Sequence, residues 1–331
     1  LPTVSFFFTA LPFSPAPSRV TDLKRILVIR GGAIGDFVLT LPAIKLLRDG
    51  FSGARLEILG HKPIAAIAEN RFYADAVGSI ESASLASFFT KELEPRPDMA
   101  AYFASFDLVL SYVHDPDQTF QRKVRATGGA RFLAGPSKLD NGEHAARQLA
   151  RPLAALGLSL ADPAARIFPS AGDREAIRHL RAANTQNVIA LHPGSGSATK
   201  NWPVDNWIEL ANVLLWEGYR LLIVGGEADG DRLQTLKAAL ERKQVQFAEN
   251  LPLPHLAALL EGQTFVGHDS GISHIAAAAG ARCLLLFGKT DPAIWAPANA
   301  NVTVLRAPES DLALLEVDTV AAALRAAIES S

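Results

Sequence analysis

Sulfur is almost missing from this chain: one cysteine, Cys283, and one methionine, Met99, in 331 residues. A lone thiol inside an apolar run can close no internal disulfide, so it reads as a core residue in a reducing compartment. An excess of one charge is missing too. With 32 basic against 34 acidic side chains and a net charge of −2, the chain has no overall footprint for nucleic acid or for an anionic membrane. No apolar stretch approaches the roughly 20 residues that cross a bilayer. The longest, residues 1–13, is broken by Pro2, Thr3, Ser5, Thr9 and Pro12 and lacks a basic lead-in. Internal repeats and low-complexity segments are absent as well. Small molecules are left as the natural partners.

The chain opens on Leu1 and its single methionine lies far inside, so the start reads as trimmed or misassigned. Residues 1–22 are therefore kept out of the fold argument and read as a disordered tail containing Pro and Ser. Phe6, Phe7, Phe8 and Phe13 give that tail the character for a weak membrane-surface contact. The rest exceeds the usual single-domain length of roughly 100–200 residues, which predicts two domains.

Short β-branched runs alternate with longer helical patterns, the mark of parallel sheets covered by helices on both faces. In the first half, strands are expected at residues 25–30, 55–59, 107–111 and 131–133. The helix after Gly35 carries Phe37, Val38, Leu41, Ile44 and Leu47 near 3.6 spacing, with a kink expected at Pro42. A connecting stretch, residues 158–187, contains a charged helical segment near 173–181. Further strands follow at 188–192, 220–224, 264–267 and 282–287, with helices after Pro203, at 229–242 and at 256–261. A last helix, 317–328, is not assigned to either domain by its pattern.

Two strand-to-helix turns stand out. Val266-Gly267-His268-Asp269-Ser270-Gly271-Ile272-Ser273-His274 ends a buried strand and starts a helix of small residues, so unpaired backbone N–H groups point out of the turn. That is an anion seat. Upstream, Arg30-Gly31-Gly32-Ala33-Ile34-Gly35-Asp36 has the same layout but carries a carboxylate. Asp36 reads either as a helix cap, worth about 1 kcal/mol, or as a general base at a cleft floor. A dinucleotide fingerprint would need glycine at Arg30, which weakens a nicotinamide site.

Between the turns, His192-Pro193-Gly194-Ser195-Gly196-Ser197-Ala198-Thr199-Lys200 offers many backbone and hydroxyl donors plus one mobile cation, a set suited to a diphosphate. Taken alone it reads first as a solvated connection, and it is not a Walker A motif. Glu227, at the end of the strand Val224-Gly225-Gly226, reads as a ribose-contacting acid or as a helix N-terminal acid. Asp269-Ser270-Gly271 looks like a serine-hydrolase fragment but lacks its flanking glycine pair and an oxyanion partner. His268, Asp269 and His274 match no recognised metal-ligand spacing. The alanines 276–279 are expected to serve close helix–sheet packing, with Gly280 ending the helix.

As a set, Gly35-Asp36, Lys200-Asn201-Trp202-Pro203, and Asp269-Ser270-Gly271 with His274 and the downstream Leu286-Phe287-Gly288-Lys289-Thr290 resemble glycosyltransferase family 9. These are the ADP-heptose:lipopolysaccharide heptosyltransferases. The resemblance runs from about Lys24 to the C-terminus and implies an α/β fold of GT-B type. Two Rossmann-like, doubly wound parallel-sheet domains would face a central cleft: residues 23–165 for the acceptor and 166–331 for the nucleotide sugar.

It further implies an inverting transfer, with no metal and no cofactor, of a sugar from an ADP-linked donor to a lipopolysaccharide-core or related glycan or glycolipid acceptor. Asp36 is then the base and Lys200 the diphosphate ligand. Ser195, Gly196, Glu227, Leu251, Asp269, Ser270, Gly271 and His274 complete the donor side, and Gly32 and Gly35 form the acceptor-side loop. Glycine at 196 replaces one hydroxyl residue of the family's phosphate loop. The resemblance implies a cytoplasmic enzyme with peripheral contact to the inner membrane; it sets no oligomeric state. An NAD(P)-dependent oxidoreductase and a catalytically inactive sugar-nucleotide-binding module are the rival expectations.

Overall fold

The computed structural model describes residues 23–181, 187–241 and 244–329. The N-terminal tail and Arg242, the expected end of one helix, lie outside the described residues. Two all-parallel sheets organise the chain. The first contains β1 (Arg25–Arg30), β2 (Arg55–Gly60), β3 (Ala76–Ser79), β4 (Leu108–Ser111) and β5 (Arg131–Ala134), in the order β3-β2-β1-β4-β5. The second contains β6 (Val188–Leu191), β7 (Arg220–Gly225), β8 (Val245–Glu249), β9 (Thr264–His268), β10 (Arg282–Phe287) and β11 (Val302–Arg306), in the order β11-β10-β9-β6-β7-β8.

The central strands are apolar on both faces because helices cover both: Ile26 to Ile29 and Cys283 to Phe287 are all buried. Each such side chain contributes about 1.5–3 kcal/mol by leaving water. Burial also pushes the Cys283 thiol up, so it stays protonated. Three strands escape the sequence pattern, β3, β8 and β11. All three are edge strands or lie at the sheet rim, half exposed, where alternation is diluted.

In each sheet the strand order reverses once, between β1 and β4 and between β6 and β9. A doubly wound sheet opens a crevice at the carboxyl ends of the strands flanking such a reversal. The turns singled out by sequence follow β1, β6 and β9, so all three lie at reversals.

Several helical expectations change. The Ile34–Gly50 helix continues through Pro42, and residues 37–44 are all buried. The charged segment is helical only over Ala171–Ala176, and the helix expected at 229–242 spans Gly230–Ala239. The final helix, Val317–Glu329, packs on the second domain: Val320, Ala321 and Leu324 join Trp207, Leu210 and Leu214 of the Val204–Trp216 helix in one core.

The alanine run serves two surfaces. Ala276 and Ala277 pack in the second domain's core, whereas Ile275, Ala278 and Ala279 join the first domain's core beside Phe37, Val38 and Leu41. Small side chains thus let the Gly271–Ala278 helix approach the Ile34–Gly50 helix across the domain boundary. Gly280 ends it with φ +86°, a left-handed conformation that favours glycine.

Polar pins reinforce this contact. Arg71 grips the carboxylate of Asp173 with bonds of 2.6 to 2.9 Å. The Tyr73 hydroxyl donates to the Arg166 carbonyl at 2.6 Å, and His144 Nε2 lies 2.8 Å from the Ala296 carbonyl.

Candidate active site

On the first-domain side, the β1 turn holds Asp36 by four contacts. Its Oδ2 accepts the Ala33 N–H at 3.0 Å, half of a capping box, and Oδ1 lies 3.3 Å from the Arg30 guanidinium. Arg30 also donates to the Asp36 carbonyl at 3.2 and 3.4 Å. The carboxylate nonetheless keeps 38% of its surface open to solvent. The cap and an available oxygen therefore belong to the same side chain. Gly32 makes the turn passable: its φ is +93°, and a Cβ there would lie 2.8 Å from Asp36 Oδ2.

Arg30, which broke the dinucleotide pattern, is 7% exposed and lies over the Tyr112 ring at 5.6 Å. Its bulk occupies the place where that fingerprint requires glycine. Beside the same turn stands His61, whose Nδ1 pairs with Glu81 at 3.2 Å. Next to β1, the ends of β4 and β5 enclose a cavity of about 310 Å³ lined by Ser111, His114, Asp115, Gln118, Gln121 and Ser137. These lie in a region of the sequence that carries no motif.

On the second-domain side, Lys200 Nζ donates to Asp269 Oδ2 at 2.6 Å, and Thr290 donates to the same oxygen at 2.8 Å. Lys200 is thereby held over the β9 turn. Ser270 caps the Gly271–Ala278 helix through the Ser273 N–H. Ser195 donates its hydroxyl to the Ser197 carbonyl at 2.8 Å, and the exposed Gly196 takes φ +71°. Glu227 is exposed at the end of β7. Leu251 lies just beyond, where the Asn250 N–H donates to the Gly225 carbonyl.

Both nitrogens of His268 are engaged: Nε2 accepts the Trp202 N–H at 2.8 Å, so Nδ1 carries the hydrogen and lies 3.2 Å from the Gly194 carbonyl. Burial pushes its pKa down to about 3. That neutral ring stitches the β6 loop to β9. Among the described residues, no group of three or more His, Cys, Asp or Glu side chains is placed to hold a metal ion.

The two turns meet. A Cβ on Gly35 would lie 3.3 Å from His274 Cδ2, and a Cβ on Gly271 would lie 2.5 Å from Ile34 Cβ. His274 sits at this junction, 5% exposed, within the fields of Asp269, His144, Asp36 and Lys200, and burial pushes its pKa down to about 4. An exposed carboxylate on one domain and a helix start overhung by Lys200 on the other thus flank one histidine. Sequence reasoning named these groups but passed over Arg30, His192, Asp229 and Thr290 as site members. The signal available for them was position alone, at or just beyond the ends of β1, β6, β7 and β10.

Two parallel-sheet domains whose strand-end turns meet across the domain boundary define the GT-B architecture of nucleotide-sugar-dependent transferases. The family model for glycosyltransferase family 9 (heptosyltransferase) matches residues 114–321, and the chain belongs to that family.

It is 30% identical over 131 residues to lipooligosaccharide heptosyltransferase 2 of Haemophilus influenzae, covering 38% of each chain. It is 36% identical over 107 residues to lipopolysaccharide heptosyltransferase 1 of Pseudomonas aeruginosa, covering 32% of this chain and 29% of that one. The aligned stretches thus span well under half the length of these curated relatives. Solved structures match along almost the whole chain. A family 9 glycosyl transferase from Veillonella parvula superposes with a TM-score of 0.78 at 19% identity, over 94% of this chain and 99% of that one. E. coli ADP-heptose lps heptosyltransferase II gives 0.73 at 17%, over 92% and 99%.

Proposed function

We propose that this chain is an inverting, metal-independent glycosyltransferase that moves a heptose from ADP-heptose onto a lipopolysaccharide-core or related glycan acceptor. The observation that carries the reading is the junction at His274, where the Gly35–Asp36 turn abuts the Gly271 turn that Lys200 overhangs. The names of the relatives support heptose as the sugar and lipopolysaccharide as the acceptor class.

A sugar hydroxyl is a poor nucleophile at neutral pH. Asp36 takes its proton as the new bond forms, a contribution of roughly 10²–10⁴-fold. Arg30 and the Ala33 N–H hold the carboxylate in the direction of attack. The nucleoside diphosphate leaves from the opposite face, which inverts the anomeric carbon. Lys200 and the N-terminus of the Gly271–Ala278 helix stand where its negative charge grows, so the protein itself supplies the electrostatic stabilisation.

Glu227 and Leu251, at the ends of β7 and β8, hold the nucleoside. The cavity at β4 and β5 receives the acceptor, and a glycolipid acceptor brings the enzyme to the cytoplasmic face of the inner membrane. No helix among the described residues is long and apolar enough to cross a membrane.

The test is transfer itself. Purified protein, ADP-heptose and a deacylated lipopolysaccharide core oligosaccharide should yield a product of inverted anomeric configuration by NMR, at a rate unchanged by EDTA. Nucleotide binding without transfer or donor hydrolysis would favour an inactive binding module. Saturable NAD(P)H binding with hydride transfer would favour the oxidoreductase.

A further inference from the structure

Beneath the two donor-side turns runs a buried polar chain that the transfer chemistry above does not use. Asp229 follows Glu227 by two residues but turns inward: it is 6% exposed, accepts the Gly226 N–H at 2.8 Å and faces His192 Nε2 at 3.3 Å. The other ring nitrogen, Nδ1, lies 3.2 Å from Ser270 Oγ. Ser270 accepts the Ser273 N–H at 3.2 Å and so sets the first turn of the Gly271–Ala278 helix. On its far side, Asp229 Oδ1 fills the space beside Gly194 so fully that a Cβ there would lie 1.6 Å away. One carboxylate–imidazole pair therefore touches both anion loops, at Gly194 and at Ser270.

The order Asp-His-Ser matches a hydrolase triad, but the environment does not. Ser270 is buried, and its oxygen is occupied as a helix cap, which leaves no approach for an electrophile. Burying a carboxylate is costly unless it is paired and hydrogen-bonded. Burial alone would raise the Asp229 carboxyl; the hydrogen bonds from His192 and the Gly226 N–H, with the nearby Arg232, hold it below the usual carboxylate range. An ionised, acceptor-only Asp229 keeps a hydrogen on Nε2 and leaves Nδ1 aimed at Ser270.

We propose that His192 and Asp229 are positioning residues for the donor's diphosphate, acting through Ser270 and Gly194 to hold the β6 and β9 loops at one fixed spacing. The backbone N–H groups of both loops then converge on one anion. This rests on the donor reading given above.

The test is a double-mutant cycle read by calorimetric titration of ADP into the parent, His192→Gln, Ser270→Ala and the double variant. His192→Gln and Ser270→Ala should each weaken ADP roughly ten-fold. The double variant should weaken it no further than the stronger single change, because both break one chain. Asp229→Asn keeps the side chain's size and should fall between the parent and His192→Gln. In His192→Gln and Asp229→Asn the loss should appear mainly as a raised KM for the donor, with a smaller change in turnover at saturating donor.

Independent losses that multiply in the double variant would overturn the proposal. So would parent-like ADP affinity in His192→Gln and Asp229→Asn accompanied only by a lower Tm, which would make the pair a plain fold element. A parent that binds no nucleoside diphosphate would instead remove the donor reading, and this inference with it.

Discussion

The Arg30–Asp36 turn and the His268–His274 turn share one backbone plan and put it to opposite uses. Each ends a buried central strand, passes through glycine and starts a helix whose free N–H groups face the other domain. At the first, a buried arginine lies under the turn and the carboxylate remains 38% open. At the second, the carboxylate of Asp269 is 10% open and is matched by Lys200 and Thr290, so the seat presents N–H groups and a cation. The strand-turn-helix unit is a chassis, and the charge packed against the turn decides whether it presents an open carboxylate or a cation beside N–H groups.

The largest test of this contrast is Asp36→Asn. Turnover should fall by roughly two orders of magnitude or more while ADP affinity stays within a few-fold. Equal turnover in variant and parent would leave the first turn with capping as its only role.

Next comes Gly271→Ala, which adds a methyl 2.5 Å from Ile34 Cβ and 3.1 Å from the Gly35 nitrogen. Overpacking of this kind costs about 1–3 kcal/mol, read as a lower denaturant midpoint. A parent-like midpoint would mean that the turns do not touch in solution. Lys200→Ala should weaken ADP about ten-fold, since it removes the cation and leaves Asp269 facing the diphosphate. Unchanged calorimetric affinity would take Lys200 out of the phosphate seat.

The smallest effect is a slope. Burial pushes the pKa of His268 down to about 3 and that of His274 down to about 4 in the fold, from an ordinary value of about 6.5. Above that value both states are neutral and their contribution to stability is complete. As pH falls below it, the unfolded chain binds protons that the fold refuses until about 4 and about 3, so stability declines. Each histidine steepens the decline by up to about 1.4 kcal/mol per pH unit. Denaturant titrations between pH 7 and 4 should show a shallower slope in His268→Gln than in the parent; identical slopes would mean that the His268 ring takes a proton in the fold.

Much of this was legible in the chain. Apolar runs marked the central strands because those strands are covered on both faces, and glycine punctuation marked the turns that follow them. Edge strands such as β8 escaped, because a half-exposed Val-Gln-Phe-Ala-Glu has no pattern strong enough to separate it from a loop. The buried chain from Asp229 to Ser270 escaped for another reason. Its members lie 37 and 78 residues apart along the chain and carry no spacing that periodicity could register.

Local order is what the residues alone determined: parallel α/β architecture, two anion-friendly turns and one acidic one, and the set of groups that resembles a transferase. Tertiary structure decided which of those groups face each other, which carboxylate is exposed, and where the final helix packs. The physical reason is range. Strand and helix patterns arise from neighbours a few residues apart, whereas the pairing of Lys200 with Asp269 exists only once β6 and β9 lie side by side, and that of Gly35 with His274 only once two separate sheets have turned their strand ends toward the same space.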